Sequence, residues 1–245
     1  MAPLMHTLEH DHTPQGIRAR FAAEPRQSYL RDWVYGGVDG AVTMFAIVSG
    51  VIGARLSLGV IVILGLSNLV ADGLAMAASN FLATRSEQDE YRHAEAVEHR
   101  HIESDPSGER EEVREIFRRY GIHGDLLEQV VETVTVDRHQ WVRIMLREEY
   151  GLPAVVRRPL RAAISTFAAF VICGFIPLVP FVVNLGHAFS VAIAATALEF
   201  ALIGAVKSRW STQPLWRSAL ETIGVGGAAA AVAYTVGAGL RGFSS

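Results

Sequence analysis

The sequence predicts an all-α integral membrane protein, with five transmembrane helices and a three-helix polar insertion between the second and the third. Of its 245 residues, 50% are hydrophobic and 19% are charged, and the mean hydropathy of +0.25 is high for a water-soluble chain. The charge is also sorted along the chain. Between Thr84 and Pro153 lie 17 of the 25 acidic residues, 10 of the 22 basic residues and five of the nine histidines. Elsewhere long stretches carry almost no charge, and no segment has the two-residue period of a strand.

A bilayer core about 30 Å thick takes roughly 20 helical residues to cross. Residues 1–30 form a polar tail without the short apolar region of a cleaved signal, so span one itself is expected to enter the membrane. Span one runs from Trp33 to Ala54, broken only by Asp39, and span two from Leu56 to Leu82, broken only by Asp72, which places spans one and two in residues 31–83. From Ser79 to Glu103 there is neither proline nor glycine, so span two is predicted to continue as a long helix until Asp105-Pro106-Ser107-Gly108 stops it.

Within the polar block, residues 84–153, three shorter helices follow, approximately Glu109–Tyr120, Gly124–Thr135 and Asp137–Tyr150. Val113, Ile116 and Phe117 on the first, and Trp141, Ile144 and Met145 on the third, recur at helical spacing, giving faces that can pack as a bundle. Residues 154–245 hold the other spans. Ala162 to Leu198 contains no charged residue and fits two, with the turn expected between Pro177 and His187; the fifth runs from Thr222 to Leu240.

Orientation follows from the basic residues. Arg18, Arg20, Arg26 and Arg31 precede span one, Arg157, Arg158 and Arg161 precede span three, and Lys207, Arg209 and Arg217 lie between spans four and five, whereas the opposite loops hold only Arg55 and Arg241. The tail and the polar block are therefore expected in the cytoplasm. A net charge of −3 and a pI near 6.3 exclude the basic excess that nucleic-acid binding needs. Cys173, alone in the chain, excludes an intrachain disulfide and a cysteine-based zinc site.

Charge inside a membrane is expensive, so Asp39 and Asp72 are expected to face the protein interior or a wet path. Asp39 lies in Gly36-Gly37-Val38-Asp39-Gly40, which suits either an ion path or a small-residue packing seam. Asn68, Asp72, Met76 and Asn80 recur every fourth residue and form one stripe along span two. A thioether beside a carboxylate favours a soft first-row metal such as Fe(II), although a methionine in a span also serves as packing.

In the polar block, Glu98 with His101, Glu109 with Glu112, and Met145 with Glu149 each project from one helix face at ligand spacing; the alternative is a solvated face threaded by arginines. Glu90-x-x-His93 and Glu98-x-x-His101 match an element of di-iron centres, but such centres draw it from two helices and both copies here share one. His6, His10 and His12 give a tail that either collects metal or is a solvated, disordered terminus. Glu199 and Glu221, within or beside spans four and five, either relay protons or seal helix contacts.

Four motifs then occur in order: Asp32-x6-Asp39-Gly40-x2-Thr43, Gly65-Leu66-x-Asn68-x2-Ala71-Asp72-Gly73-x2-Met76-Ala77, Ser86-Glu87-x-Asp89, and Trp141-x3-Met145-x2-Glu148-Glu149-x-Gly151. Over about residues 30–240 the chain resembles the vacuolar iron transporter family, which includes bacterial members. The resemblance implies a homodimeric exporter of Fe(II) from the cytosol, driven by proton antiport, with its path at the dimer interface. It implies Asp39 and Met76 as ligands in the membrane, Asp32 near the cytoplasmic mouth, and Glu98, Glu109, Glu112, Met145 and Glu149 as ligands of a cytoplasmic metal-binding domain. His101 and His139 stand where the family commonly has acids, which shifts preference towards zinc, nickel or cobalt, and Asn68 replaces a carboxylate that some members carry.

The sequence is thus expected to encode a metal exporter and not an enzyme. Its cargo is Fe2+, with Mn2+ or Zn2+ as variants, and it needs no prosthetic group. Its partners are lipid, divalent ions, protons and a second copy of itself, without nucleic acid, and the bacterial inner membrane is its expected location. The alternative is a membrane-anchored metal buffer or sensor, which leaves Asp39 and Asp72 unexplained. No nucleotide-binding glycine loop occurs, so a proton gradient is the expected energy source.

Overall fold

The computed structural model describes residues 11–23, 27–153, 157–208 and 214–243. Every regular element among them is helical, and five helices are long and apolar enough to cross a membrane. Helix α1, Pro14–Ala22, buries none of its residues and begins at a Thr13 cap whose side chain accepts from the Gly16 amide. A helix therefore stands in a tail read from sequence as metal-collecting or disordered; His6 and His10 lie outside the described residues, and His12 is exposed.

Span one is α2, Leu30–Gly53, and span two is the first half of α3, Leu58–Ser104, a single 47-residue helix that leaves the membrane and continues into the polar block. Span three is α7, Pro159–Phe175, extended by a 310 turn at Ile176–Leu178 and by the short α8, Val179–Val182. Spans four and five are α9, Ala188–Ser208, and α10, Leu215–Gly239. Helix α2 is central, packed on α3, α7, α9 and α10, and α7 also packs on α3. The membrane core gathers Met44 and Val48 of α2, Ile61 and Leu69 of α3, Phe170 of α7, and Leu178 and Phe181 beyond it.

Two span boundaries differ from the sequence reading. Pro177 and Pro180 do not begin the turn, because each falls in the first positions of a new helical segment, where a missing amide costs nothing. The chain reverses only after Val182, where Asn184 takes a φ of 53°. Helix α10 starts at Leu215, seven residues before Thr222, because helix propensity carries on through Arg217 and Glu221; Glu221 meets Lys207 of α9 at 3.6 Å.

Helices α2 and α7 approach so closely that Gly36 and Gly40 have no room for a side chain. A methyl at either position would collide with the carbonyl oxygens of Thr166 or Phe170. Overpacking of this kind costs about 1–3 kcal/mol, so Gly40→Ala is expected to lower the melting temperature of the detergent-solubilised protein clearly. Gly224→Ala, at a position with nothing within 4 Å, serves as the control. Equal melting of the two variants would disprove this close approach.

The polar block completes its bundle with α4, Pro106–Arg119, α5, Asp125–Val136, and α6, Arg138–Glu148. The residues that stop α3 also start α4: Asp105 caps it by accepting from the Gly108 amide, and Pro106 fills its first turn. Asp137 caps α6 through the amides of His139 and Gln140. Val113, Leu127, Val131, Val134, Trp141 and Met145 form the core of this domain, while Ala94 of α3 with Val142 and Leu146 docks α6 on the long helix.

Candidate functional site

Two polar constellations lie on α3, one in the membrane and one in the domain. In the membrane, Asp39 and Asp72 are half-buried, close enough for their carboxyls to act on each other, with the Thr43 hydroxyl at Asp39. Asn68, Asp72, Met76 and Asn80 are all half-buried, as one face of a helix requires, and Met76 also packs against the membrane core. A cavity of about 490 Å³ is lined by Arg31, Asp32 and Tyr35 of α2 and by Met76, Ser79 and Asn80 of α3. Tyr35 precedes Asp39 by one turn and Met76 follows Asp72 by one turn, so the cavity leads towards the two aspartates.

Asp32, 3% exposed, closes the domain end of this cavity within a network that its sequence position did not disclose. Arg157 donates to both of its oxygens, at 2.9 and 3.2 Å, and reaches Glu87 with its other amino group at 3.2 and 3.3 Å. Asn80 donates to Asp32 at 2.9 Å and to Thr166 at 2.6 Å. Composition reveals Arg157 only as one of several basic residues at a membrane boundary; its pairing with a residue 125 positions away depends on the α2–α3–α7 packing.

In the domain, the structure brings together Glu98 and His101 of α3, Glu109 and Glu112 of α4, and Glu149 at the end of α6. Glu98 is 0% and Glu109 4% exposed, and one carboxyl oxygen of each is buried without a partner. His101 Nδ1 lies 3.4 Å from Glu109 and 3.9 Å from Glu98. Tyr150 donates to Glu98 at 3.0 Å; burial first, then that bond and the surrounding glutamates, push its phenol up, so it stays a donor. The sequence offered no sign of Tyr150 beyond its place next to Glu149.

Met145 is 0% exposed in the domain core, one turn before Glu149. His139 is elsewhere, beside a cavity with Glu95 and His99, so it does not join His101. Glu90 and His93 are exposed, eight residues up α3 from Glu98 and His101. Among the described residues, no three His, Cys, Asp or Glu side chains are already drawn into one coordination shell.

Electrostatics set one group of the domain acids apart. Arg114 pairs with Glu111 and Glu128, Arg118 and Arg119 with Glu115, Arg138 with Glu103, and Arg85 and Arg92 with Asp89, the solvated face expected of such helices. Among the described residues, no Arg or Lys pairs with Glu98, Glu109, Glu112 or Glu149; the buried Glu98 and Glu109 meet His101, and Glu112 and Glu149 are exposed. Burial, and then the carboxylates of Glu98, Glu112 and Glu149, push the Glu109 carboxyl up to about 7, and Glu149 is raised for the same reasons. Such a cluster takes up cations, whether protons or metal.

A carboxyl raised from its unfolded value of 4.5 to about 7 adds stability that is complete below about pH 4.5 and is lost as the pH rises through 7. Metal-free protein is therefore expected to show smaller hydrogen-exchange protection factors, taken relative to the intrinsic base-catalysed rate at each pH, in α4 and α6 at pH 8 than at pH 6. Glu109→Gln should flatten that difference, and an undiminished difference would show that other groups set it.

A five-span helical bundle with a carboxylate pair in its interior and an unneutralised acidic cluster in an attached domain defines a polytopic membrane transport protein. The model of the VIT family matches residues 30–238, and the chain belongs to that family, whose members are transporters and not enzymes. It is 32% identical over 209 residues to vacuolar iron transporter 1 of Arabidopsis thaliana, covering 84% of this chain and 83% of that protein. It is 31% identical over 225 residues to the vacuolar iron transporter of Toxoplasma gondii, covering 87% and 74%, and 30% identical over 210 residues to vacuolar iron transporter 1 of Tulipa gesneriana, covering 84% and 85%.

Proposed function

We propose that this protein exports Fe(II) from the cytosol in exchange for protons. The observation that carries the reading is that the buried Glu98 and Glu109, with the exposed Glu112 and Glu149 beside them, lack the arginine partners that neutralise Glu103, Glu111, Glu115 and Glu128. A cytosolic metal ion neutralises Glu98, Glu109, Glu112 and Glu149, with His101 at the rim and the Met145 thioether beneath, and this also stabilises the domain. The ion then enters the cavity at Asp32 and Met76 and passes to Asp39 and Asp72. The relatives' names support iron as cargo. The Met76 thioether favours Fe(II) over harder ions, and His101 leaves room for Zn(II) in the domain.

Residues 1–30, residues 84–153 and the loop between α9 and α10 are assigned to the cytosol on their basic residues. The protein acts as a homodimer in this reading. The cavity beside Met76 adjoins a face of α3 where Ala71, Ala75, Ala78 and Ser79 are exposed, small residues that admit a second helix closely. A bacterial cell would hold it in the inner membrane.

Proteoliposomes containing the pure protein test the function. Fe(II) uptake is expected with the domain facing outward, and acidification of the lumen should accelerate it by about tenfold. Metal binding to the protein without any transmembrane flux would instead assign it as a membrane-anchored buffer.

A further inference from the structure

The carboxyl group of Glu199 takes no part in the path described above. It lies midway along α9, 5% exposed, and both of its oxygens are buried without a hydrogen-bond partner. Ala41, Cys173 and Phe200 make the adjoining cluster, with Val42, Ile203 and Ile223 against it, all of them apolar but for the thiol. One turn earlier, the Thr196 hydroxyl is likewise buried and unpartnered.

The titratable group that faces Glu199 is Cys173 of α7. The 310 turn and α8, which also pack on α9, carry none. On α10, Arg217 and Glu221 lie near its start, where Glu221 is held by Lys207, and Tyr234 is exposed further along. On α2, Asp39 is engaged with Asp72, and Asp32 with Arg157 at the domain end. No described Lys or Arg pairs with Glu199, and a bare carboxylate among apolar helices is costly. Close packing around it leaves a proton as the cation that fits.

Its depth is the informative feature. A methyl at Gly37 would lie 3.1 Å from the Cys173 sulfur, and Ala41 belongs to the same cluster, so Glu199 and Cys173 are level with residues 37–41 of α2. Asp39 is two residues from each and so points from the other flank of that helix. The two carboxyl groups are separated by one helix, whose Gly36 and Gly40 lie directly against the α7 backbone. A shift of α2 against α7 therefore alters both surroundings together.

We propose that Glu199 is the proton-binding carboxyl of the exchange cycle, a site distinct from the metal path and coupled to it across α2. This rests on the antiport reading. Glu199 takes up one proton while open to the far side and releases one while open to the domain side, with no other bond changed.

Full-length protein in liposomes tests this with Fe(II) under two regimes: net uptake driven by a pH gradient, and exchange of isotopically labelled Fe(II) at equal pH. Glu199→Gln is expected to keep exchange near the wild-type rate and to lose about tenfold gradient stimulation, which Glu199→Asp should partly restore. Wild-type gradient stimulation in a well-assembled Glu199→Gln protein overturns the proposal while sparing antiport. Loss of both regimes overturns it in favour of a packing role. Absence of gradient stimulation in the wild type overturns antiport and the proposal together. An independent readout on the wild type is carbodiimide labelling, which needs a protonated buried carboxyl: Glu199 should be modified, and Fe(II) should slow the labelling only in part, because coupled metal and proton sites weaken each other without sharing ligands. Failure to label at pH 6, or full protection by metal, refutes a separate proton site even if the glutamine variant does not assemble.

Discussion

Asp39→Asn is expected to lower Fe(II) flux by about 100-fold or more, equivalent to about 3 kcal/mol, because a divalent ion in a low-dielectric passage loses its main counter-charge. The substitution keeps the size of the side chain and removes the repulsion between Asp39 and Asp72, so folding and assembly should be unharmed. Initial rates in proteoliposomes, with gel filtration in detergent as the check on assembly, decide the matter. Wild-type flux in well-assembled Asp39→Asn protein would return Asp39 to a packing role in the glycine-rich seam.

Loss of the capture cluster should look different. In the Glu109→Gln, Glu112→Gln double variant, the membrane passage is intact, so maximal flux should persist while the Fe(II) concentration for half-maximal flux rises by about tenfold, or about 1.4 kcal/mol. The same variant should lose most of the metal-induced protection from hydrogen exchange in α4 and α6, since fewer carboxylates are left to neutralise. An unchanged half-maximal concentration would show that these glutamates do not feed the path. Comparison with Glu111→Gln, which weakens only the surface pairs with Arg114 and Arg118, separates site from surface.

The contrast between these residues also marks what sequence could disclose. The spans, the long second helix and the amphipathic faces at Val113 and Trp141 were legible because burial against lipid or core imposes a periodic pattern on consecutive residues. The register of Asp72 with Met76 and of Glu109 with Glu112 was legible for the same reason. Span ends were read less well, since helix formation continues through polar residues such as Glu221 and through prolines at a first turn. Contacts between distant segments were not legible at all. Arg157 on Asp32, Tyr150 on Glu98 and Cys173 beside Glu199 join residues whose separation in sequence carries no periodic signal. Nor could spacing tell Glu109 from Glu115, which lie on the same helix; only packing shows that arginines reach one and not the other.

The unbroken α3 has a mechanical consequence. At about 1.5 Å per residue, the 22 residues from Met76 to Glu98 span about 33 Å, several times the screening length of physiological salt. From Ser79 to Glu103 no proline or glycine offers a hinge, so this stretch behaves as a stiff rod. The domain cannot bend its cluster down onto the membrane and deliver an ion by contact. Any ion released there must cross the gap by diffusion, and a tilt of the rod at one end is felt at the other as leverage. Insertion of one residue between Phe81 and Ala94 would rotate the cluster by about 100° relative to the membrane stripe without shortening the rod, which makes α3 a natural place to ask whether alignment or mere tethering matters.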